Sequence, residues 1–375
     1  MQNYIVSTAG TSVLTNSAFK IKLGNIEDKD VIKWLRERAN FNDSDYKPEE
    51  SDMLDSYTED IKKAASQYSP EQLRRLSAEC NVLFALDSVN SQNMHYLLCT
   101  DTYQGKLAAE IIKSCLESKG ATAVSIQTIK NLNTASQTNF DEGMANLLDW
   151  CEKTLTQTNK FNVKIIFNLA GSFKSFQAYC QAIGMIYADE ICYIFEGENS
   201  ELLRIPRLPL QFDHKPLEQY KSIIARMVFG DIVSTDVLKS IPEAYLTIDE
   251  KGDAILSTWG MLAWNSVKKD ILSEELVEYP KLTYLNTFRK DYEKINDDDR
   301  KVDIQMTLAH VSLLFEQKGL IALREHGGLQ YEKYANRNDQ VGHFRLNDDW
   351  RITCEEKDGM LSLRRVGKHE VNDNP

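Results

Sequence analysis

Short apolar runs alternate with amphipathic helical patterns over residues 1–210 of this chain. The apolar runs occupy residues 3–9, 94–100, 123–129, 163–169 and 191–195. Apolar strands that alternate with amphipathic helices predict a parallel sheet covered by helices on both faces. Between the first two runs, the charged stretch 28–77 has helical character and predicts an insertion of helices after the first strand.

The pattern changes beyond a proline-rich segment that contains Pro206, Pro209 and Pro216, which predicts a linker. A mainly helical middle segment follows it. The chain then ends with two helical patterns and three strand-like runs, at residues 287–295, 299–316, 341–346, 350–355 and 361–366. The order ααβββ predicts a small α+β domain with an antiparallel sheet, which a strand near residues 283–285 would join. The predicted domains are residues 1–210, 211–281 and 282–375.

Composition narrows the class of protein. Hydrophobic residues make up 42% and charged residues 27% of the chain, which is ordinary for a globular protein. The formal net charge of −12 is unusual for a free nucleic-acid binder, so a chain like this with a nucleic-acid substrate must concentrate its positive charge locally or gain affinity from a protein partner. The seven cysteines form no CxxC pair and predict buried, reduced thiols and no metal site. No signal peptide or apolar run of membrane-spanning length is visible, so we expect a cytoplasmic protein.

Two loops rich in small and hydroxyl residues follow apolar strands in the first 210 residues. One runs from Ser7 to Asn16 and the other from Asn168 to Ser175. In open α/β sheets, ligands bind at the carboxyl ends of the strands, where helix N-termini offer N–H groups to anions. Helix capping is the simpler reading of either loop alone. Neither loop is a Walker A loop or a dinucleotide fingerprint, which disfavours an oxidoreductase.

The string STAGTSVLTN resembles the first motif of CRISPR-associated CARF proteins. The stretch that begins FNLAGSFKSFQAYCQAIG resembles their second motif, and LLCTDTYQGKLAAEIIKSCLESKG resembles their middle βα unit. The resemblance covers residues 1–210 and implies a Rossmann-like domain that forms a homodimer and binds a cyclic oligoadenylate across the two-fold axis. Matching symmetry favours cyclic tetra-adenylate.

The resemblance also implies which residues touch this ligand. They are Thr8, Gly10, Thr11, Ser12, Asn16, Ala170, Gly171, Ser172 and Lys174, with Asp101 and Thr102 as a third loop. Some CARF domains cut their own ligand, and Ser12 and Lys174 would be the candidates for that reaction here. No cofactor is expected besides the cyclic oligoadenylate activator.

Basic residues gather in the final strand-like runs. His343 and Arg345 are two residues apart and share one face of a strand, Arg351 lies on the next strand, and Lys368 and His369 follow the third. Metal-free RNA cleavage needs a base for the 2′-hydroxyl, an acid for the leaving oxygen and cations for the phosphorane charge. An isolated arginine or histidine on a strand is more commonly a surface residue, so the inference depends on the whole cluster.

The string GHFRLNDDWRITCEEKDGMLSLRRVGKHE resembles the RelE toxin superfamily, and the likeness covers residues 282–371. It implies a ribonuclease that cuts mRNA, in many members within the ribosome. Matched positions give His343, Arg345, Arg351, Lys368 and His369 as the catalytic group, with His343 as general base and His369 as acid. The tyrosine that several members carry after this signature is absent here, and Trp350 or Tyr334 would have to replace it.

Two alternatives stay open at this stage. Arg337 and His343 have the spacing of a HEPN ribonuclease motif, although that motif requires a helix and the FRL alternation predicts a strand. The chain could instead be a regulator without enzymatic activity, in which ligand binding controls a binding module in the middle segment.

Overall fold

The chain divides into two compact units, Met1–Leu210 and Gln211–Pro375, which we name the N-terminal and C-terminal units. The computed structural model describes residues 2–17, 21–86, 88–158, 163–171, 174–194, 201–209, 212–334, 341–368 and 371. The middle segment and the last segment of the chain belong to the same unit and share one hydrophobic core, in which Trp264 lies with Phe288 and Phe344.

The N-terminal unit is a Rossmann-like α/β domain built on a six-stranded sheet. Its strands are β1 (Asn3–Ala9), β2 (Met94–Thr100), β3 (Ala123–Ile129), β4 (Lys164–Asn168), β5 (Glu190–Ile194) and β6 (Leu202–Pro206). They lie in the order β3-β2-β1-β4-β5-β6, and every neighbouring pair is parallel except β5 with β6. The five apolar runs of the sequence are therefore strands of one sheet, and the prediction of a largely parallel sheet is confirmed. Strand β6 was not predicted.

Eight helices of the described residues belong to this unit. They are α1 (Ser12–Ser17), α2 (Asp28–Glu37), α3 (Pro48–Ser66), α4 (Pro70–Arg74), α5 (Ala78–Ala85), α6 (Tyr103–Ser118), α7 (Gln137–Thr158) and α8 (Lys174–Tyr187), with a 3₁₀ turn at Asp43–Asp45. Helices α2 to α4 form the predicted insertion at residues 28–77, and α5 extends it. Helix α5 begins where the Ser77 hydroxyl accepts a hydrogen bond from the Cys80 N–H at 3.1 Å, a standard N-cap.

The C-terminal unit contains two sheets. The first part of the unit holds α9 (Lys215–Gln219), α10 (Lys221–Met227), β7 (Val233–Ser234), β8 (Leu246–Ile248), β9 (Asp253–Leu256) and α11 (Thr258–Leu272). The second part holds β10 (Leu282–Tyr284), α12 (Asn286–Glu293), α13 (Asp298–Lys318), α14 (Leu320–Glu325), β11 (Glu332–Lys333), β12 (Val341–Arg345), β13 (Trp350–Lys357) and β14 (Met360–Lys368). Two further 3₁₀ turns lie at Thr235–Val237 and Glu243–Tyr245.

The larger sheet has the order β10-β14-β13-β12-β11, antiparallel except for the pair β10 and β14. This agrees with the predicted helical pair and strands, including the strand near residue 283. One face packs on α12 and α13, because Phe344, Ile352, Leu363 and Val366 are buried in the same core as Leu308. The opposite face of β12 and β13 carries the residues that strand alternation places away from this core.

The middle segment is less helical than its pattern predicts. Strands β7, β9 and β8 form an antiparallel three-stranded sheet. Strands of two to four residues are too short for period-2 alternation to stand out in a sequence. The hairpin depends on Asp249, whose carboxylate accepts the N–H groups of Lys251 and Asp253, and on Gly252, which has φ +82°.

All seven cysteines are free thiols and buried. Burial raises the pKa of the Cys99, Cys151 and Cys180 thiols, and at Cys192 burial and then nearby Glu190 raise the pKa to about 12. Within the described parts of the chain, no three His, Cys, Asp or Glu side chains are grouped as a metal site would require. No helix in those parts has both the length and the apolar character that crossing a bilayer requires.

Candidate functional site

The two hydroxyl-rich loops leave neighbouring strands at the point where the strand order of the N-terminal sheet reverses. Strands β1 and β4 are adjacent and parallel, with β2 and β3 on one side and β5 and β6 on the other. The loop after β1 leads into α1, and the loop after β4 leads into α8. Ligand sites of open α/β sheets lie at such a switch point.

A buried hydrogen bond joins the two loops. The Thr8 hydroxyl donates to the Gly171 carbonyl at 2.8 Å, and Thr8 is 0% exposed. The Asn168 side chain donates to the Ser7 hydroxyl at 3.2 Å, and its carbonyl accepts the Ala170 N–H at 3.3 Å. Thr8, Ala170 and Gly171 were predicted ligand residues, and the structure brings them together with Gly10 and Ser12 at one edge of the sheet.

A carboxylate that the sequence did not single out occupies the space between these loops. Glu79 lies in α5 and is 0% exposed. Its Oε1 accepts the Gly10 N–H at 2.6 Å, and its Oε2 accepts the Ser12 hydroxyl at 3.2 Å. A Cβ atom added to Gly171 would lie 1.8 Å from Oε1, so any larger residue at this position requires the Glu79 side chain to move. No local pattern marks Glu79, because it is one of many acidic residues in the helical insertion.

Burial raises the pKa of Glu79, and hydrogen bonds from backbone N–H groups and from the hydroxyls of Ser77 and Ser12 partly oppose that effect. The carboxylate therefore binds the same N–H and hydroxyl groups that would bind an anionic ligand. Gln177 of α8 was also missed. Its side-chain amide donates to the carbonyls of Leu169 and Gly171, at 3.1 and 3.2 Å, and holds the second loop in place.

Other predicted ligand residues lie nearby with different environments. The Asn16 amide donates to the Leu76 carbonyl at 3.1 Å, so it links α1 to the helical insertion. Thr11 is half-buried, and its carbonyl accepts the Leu14 N–H at 3.0 Å. Lys174 is exposed at the first position of α8. Ser172 lies outside the described residues.

The third loop follows β2, which is parallel to β1, so it lies at the same edge of the sheet. Thr102 is 2% exposed, and its hydroxyl caps α6 by accepting the Gly105 N–H at 3.2 Å. The Asp101 carboxylate accepts the Asn131 N–H at 3.3 Å and lies 3.5 Å from the Lys106 ammonium group. Both side chains therefore make structural contacts in this conformation.

In the C-terminal unit, three of the predicted catalytic residues share one face of the larger sheet. His343 and Arg345 alternate along β12, and Arg345 is directly opposite Arg351 of β13 in the antiparallel register. Thr353 is opposite His343 on the same face. This is the face directed away from the buried core residues Phe344 and Ile352, as period-2 alternation requires.

Arg351 is more buried than a phosphate-binding arginine is expected to be. It is 3% exposed, and its Nη1 donates to the carbonyls of Asn347 and Trp350, at 2.6 and 3.0 Å. Burial lowers the pKa of Arg351, and the charge of Arg345 adds to that effect. The guanidinium group therefore stabilises the turn between β12 and β13.

Lys368 does not join that face. It is opposite Trp350, next in sequence to Arg351, so its side chain belongs to the other face of the sheet. His369 lies outside the described residues. Two residues flank His343 instead: the ring centroid of Tyr334 is 5.0 Å from that of His343, and Glu332 is opposite His343 in β11. Glu332 was missed because the strand that carries it has two residues.

One part of this chain matches a known protein family. Residues 74–208 match a family model described as CRISPR-associated protein (Cas_APE2256). The N-terminal unit is thus similar to CRISPR-associated proteins over about a third of the whole chain. The matched range includes Glu79 and the loop after β4, and it ends before the C-terminal unit begins. A search of curated proteins finds no match.

Proposed function

We propose that this protein is a cyclic-oligoadenylate-activated ribonuclease of CRISPR antiviral defence. The observation that carries the proposal is the junction of two ligand-type loops at the switch point, linked by the Thr8–Gly171 hydrogen bond, in a unit that matches a CRISPR-associated family. The C-terminal unit supplies the ribonuclease activity, with its basic sheet face as the reacting surface.

The ligand is a ring with a phosphodiester backbone, which needs N–H, hydroxyl and ammonium groups. The loops supply the Gly10 N–H, the hydroxyls of Thr11 and Ser12, and Lys174 at the start of a 14-residue helix. In a homodimer, an isologous interface repeats this set about a two-fold axis, which suits cyclic tetra-adenylate. The Glu79 Oε1 atom accepts a hydrogen bond from the Gly10 N–H at 2.6 Å, so a phosphate that binds this N–H must displace the Glu79 carboxylate.

Cleavage on the β12–β13 face follows from general acid–base chemistry. The 2′-hydroxyl of the RNA attacks the adjacent phosphorus, and the bond from phosphorus to the 5′-oxygen breaks, leaving a 2′,3′-cyclic phosphate and a 5′-hydroxyl. His343 takes the proton of the 2′-hydroxyl, because imidazole titrates near neutral pH, and His369, the predicted acid, gives a proton to the leaving 5′-oxygen. Arg345 stabilises the charge on the phosphorane oxygens. Arg351, held against the turn, positions Arg345 across the strand pair.

The charge of the chain favours mRNA presented by the ribosome as the substrate. Residues 282–375 carry 15 Lys and Arg against 17 Asp and Glu. Such a segment attracts bulk RNA weakly, since phosphate contacts dominate affinity. A ribosome that holds the message removes this requirement.

The test is mRNA cleavage with translating ribosomes, with and without cyclic tetra-adenylate. We expect cleavage that the ligand strongly increases, because gating requires tighter ligand binding to the active arrangement than to the resting one. Cleavage products with a 2′,3′-cyclic phosphate would support the mechanism. Equal cleavage with and without the ligand would contradict the gating, and no cleavage in any condition would contradict the ribonuclease.

A regulator without enzymatic activity is the second candidate. Two observations favour it: Arg351 is buried, and Lys368 lies on the other face of the sheet. Of the predicted catalytic residues that the structure describes, His343 and Arg345 are then left to act on RNA. Ligand binding without RNA cleavage would support it. A HEPN ribonuclease is disfavoured, because His343 lies in strand β12 and not on a helix.

A further inference from the structure

A groove of about 710 Å³ lies in the C-terminal unit, between the turn that joins α12 to α13 and the ends of β13 and β14. It is separate from the face that carries His343 and Arg345. Its lining consists of Asp291, Lys294, Ile295, Asn296, Asp297, Arg300, Trp350, Arg365, Val366, Gly367, Lys368 and Val371.

The groove concentrates positive charge in a chain whose net charge is −12. Among the described residues of its lining, four are cationic and two are carboxylates, an excess of two positive charges. Both carboxylates have internal partners: Asp291 accepts a hydrogen bond from Arg365 at 2.5 Å, and Asp297 caps α13 by accepting the Arg300 N–H at 3.3 Å. Lys294 and Lys368 are exposed at the groove, so their charges face solvent.

An aromatic ring and a planar cation lie in the same groove. The Arg300 guanidinium carbon is 5.1 Å from the centroid of the Trp350 ring. Trp350 is half-buried, and Lys368 is directly opposite it in the β13–β14 pair. Single-stranded nucleic acid is bound by this combination, in which bases stack on aromatic rings or guanidinium planes and phosphates meet lysines.

We propose that this groove binds a single-stranded segment of the RNA substrate next to the segment that is cleaved. This inference rests on the proposed ribonuclease function and extends it to a second RNA contact. A base packs against Trp350 and Arg300, and the neighbouring phosphates contact Lys294 and Lys368. The groove and the face that carries Arg345 meet at this end of the sheet, because Trp350 and Arg351 are consecutive. An RNA strand that crosses Arg345 therefore continues into the groove.

The experiment measures binding of a short fluorescein-labelled single-stranded RNA to the full chain by anisotropy, over a range of salt concentrations. Lys294→Gln should lower the salt slope of log affinity by about 0.7, the value for one phosphate contact with a single strand. Trp350→Leu should weaken binding on the order of tenfold through lost stacking. Trp350→Phe should retain much of the affinity, because a phenyl ring still stacks on a base.

The matched control is Lys251→Gln, which removes an exposed lysine from the hairpin between β8 and β9. It should leave both affinity and salt slope unchanged. Wild-type affinity in Lys294→Gln and Trp350→Leu would overturn the inference, as would a wild-type chain that does not bind the RNA. Competition by polyglutamate as strong as by RNA of equal charge would also overturn it and assign the groove to an acidic protein.

The two assays together distinguish a wrong groove inference from a wrong ribonuclease proposal. If ligand-activated cleavage is present and the groove variants bind and cleave as the wild type does, only the groove inference fails. If no condition gives cleavage, yet the groove variants lose RNA binding, the groove stands and the ribonuclease proposal fails.

Discussion

The two candidate sites are built in different ways. In the N-terminal unit, hydrogen bonds join residues that are far apart in sequence: Thr8 with Gly171, and Gly10 with Glu79. In the C-terminal unit, strand register alone brings His343, Arg345 and Arg351 to one face. The first site therefore depends on loops held around a buried carboxylate, and the second on a sheet whose other face is the core. Substitutions should accordingly affect folding and function together in the first and more separately in the second.

The largest expected effect separates chemistry from structure on the basic face. His343→Ala should lower ribosome-dependent cleavage by about 10²- to 10⁴-fold, the range for loss of a general acid or base. The urea midpoint should change little, because His343 lies on the face away from the core. Cleavage assays and urea unfolding on the same preparations check both expectations.

Arg351→Gln is the matched comparison on that face. It removes the donor that the carbonyls of Asn347 and Trp350 share, so the unfolding free energy should fall by about 1–3 kcal/mol. Activity should fall as well, through loss of the turn that positions Arg345. Unchanged stability with strongly reduced cleavage would assign Arg351 a direct contact with the phosphate and contradict the structural role.

The next effect tests how tightly the N-terminal loops are built. Gly171→Ala would place a Cβ atom 1.8 Å from the Glu79 Oε1, so something must move, at a cost of about 1–3 kcal/mol. We expect a lower unfolding midpoint and weaker binding of cyclic tetra-adenylate, measured by thermal unfolding and calorimetry. Gly327→Ala is the control, because nothing lies within 4 Å of its added Cβ.

Removal of the carboxylate should relieve that clash. The double variant Gly171→Ala with Glu79→Ala should be less destabilised than the two single variants added together. Simple additivity would show that Glu79 and Gly171 are not coupled, and the N-terminal site would then resemble the C-terminal one.

Periodicity in the sequence predicts the sheets well, because most of the long strands are apolar or alternating runs, and β1 to β4 each lead into a helix. The runs at 3–9 and 94–100 became neighbouring strands, and His343 and Arg345 share a face as their spacing predicts. The three-stranded sheet of the middle segment was missed, since its strands have at most four residues.

Burial and long-range partners could not be predicted from spacing. Glu79 looks like any acidic residue of a surface helix, and only the packing of α5 against β1 and β4 makes it 0% exposed. Arg351 looks like a phosphate ligand, yet the carbonyls of its own turn bind it. Lys368 lies on the face opposite to that of Arg351, because Lys368 pairs with Trp350 and side chains of consecutive strand residues point to opposite faces.

The smallest expected effect compares two histidines, a buried one in the N-terminal unit and a half-buried one in the C-terminal unit. Burial lowers the pKa of His95, 0% exposed in β2, to about 4, and burial with nearby His326 lowers that of His310 in α13 to about 4. A histidine whose pKa is lowered in the folded state binds fewer protons than in the unfolded chain. Its contribution to stability is therefore present above about pH 6.5 and is lost as pH falls toward 4.

For His95, the expected loss of unfolding free energy between about pH 7.5 and pH 5.5 is about 1 kcal/mol. His95→Gln keeps a donor for the Ser88 carbonyl, so hydrogen exchange of N-terminal peptides should become less pH-dependent while C-terminal peptides keep the wild-type response. A change in both units would show that they unfold as one.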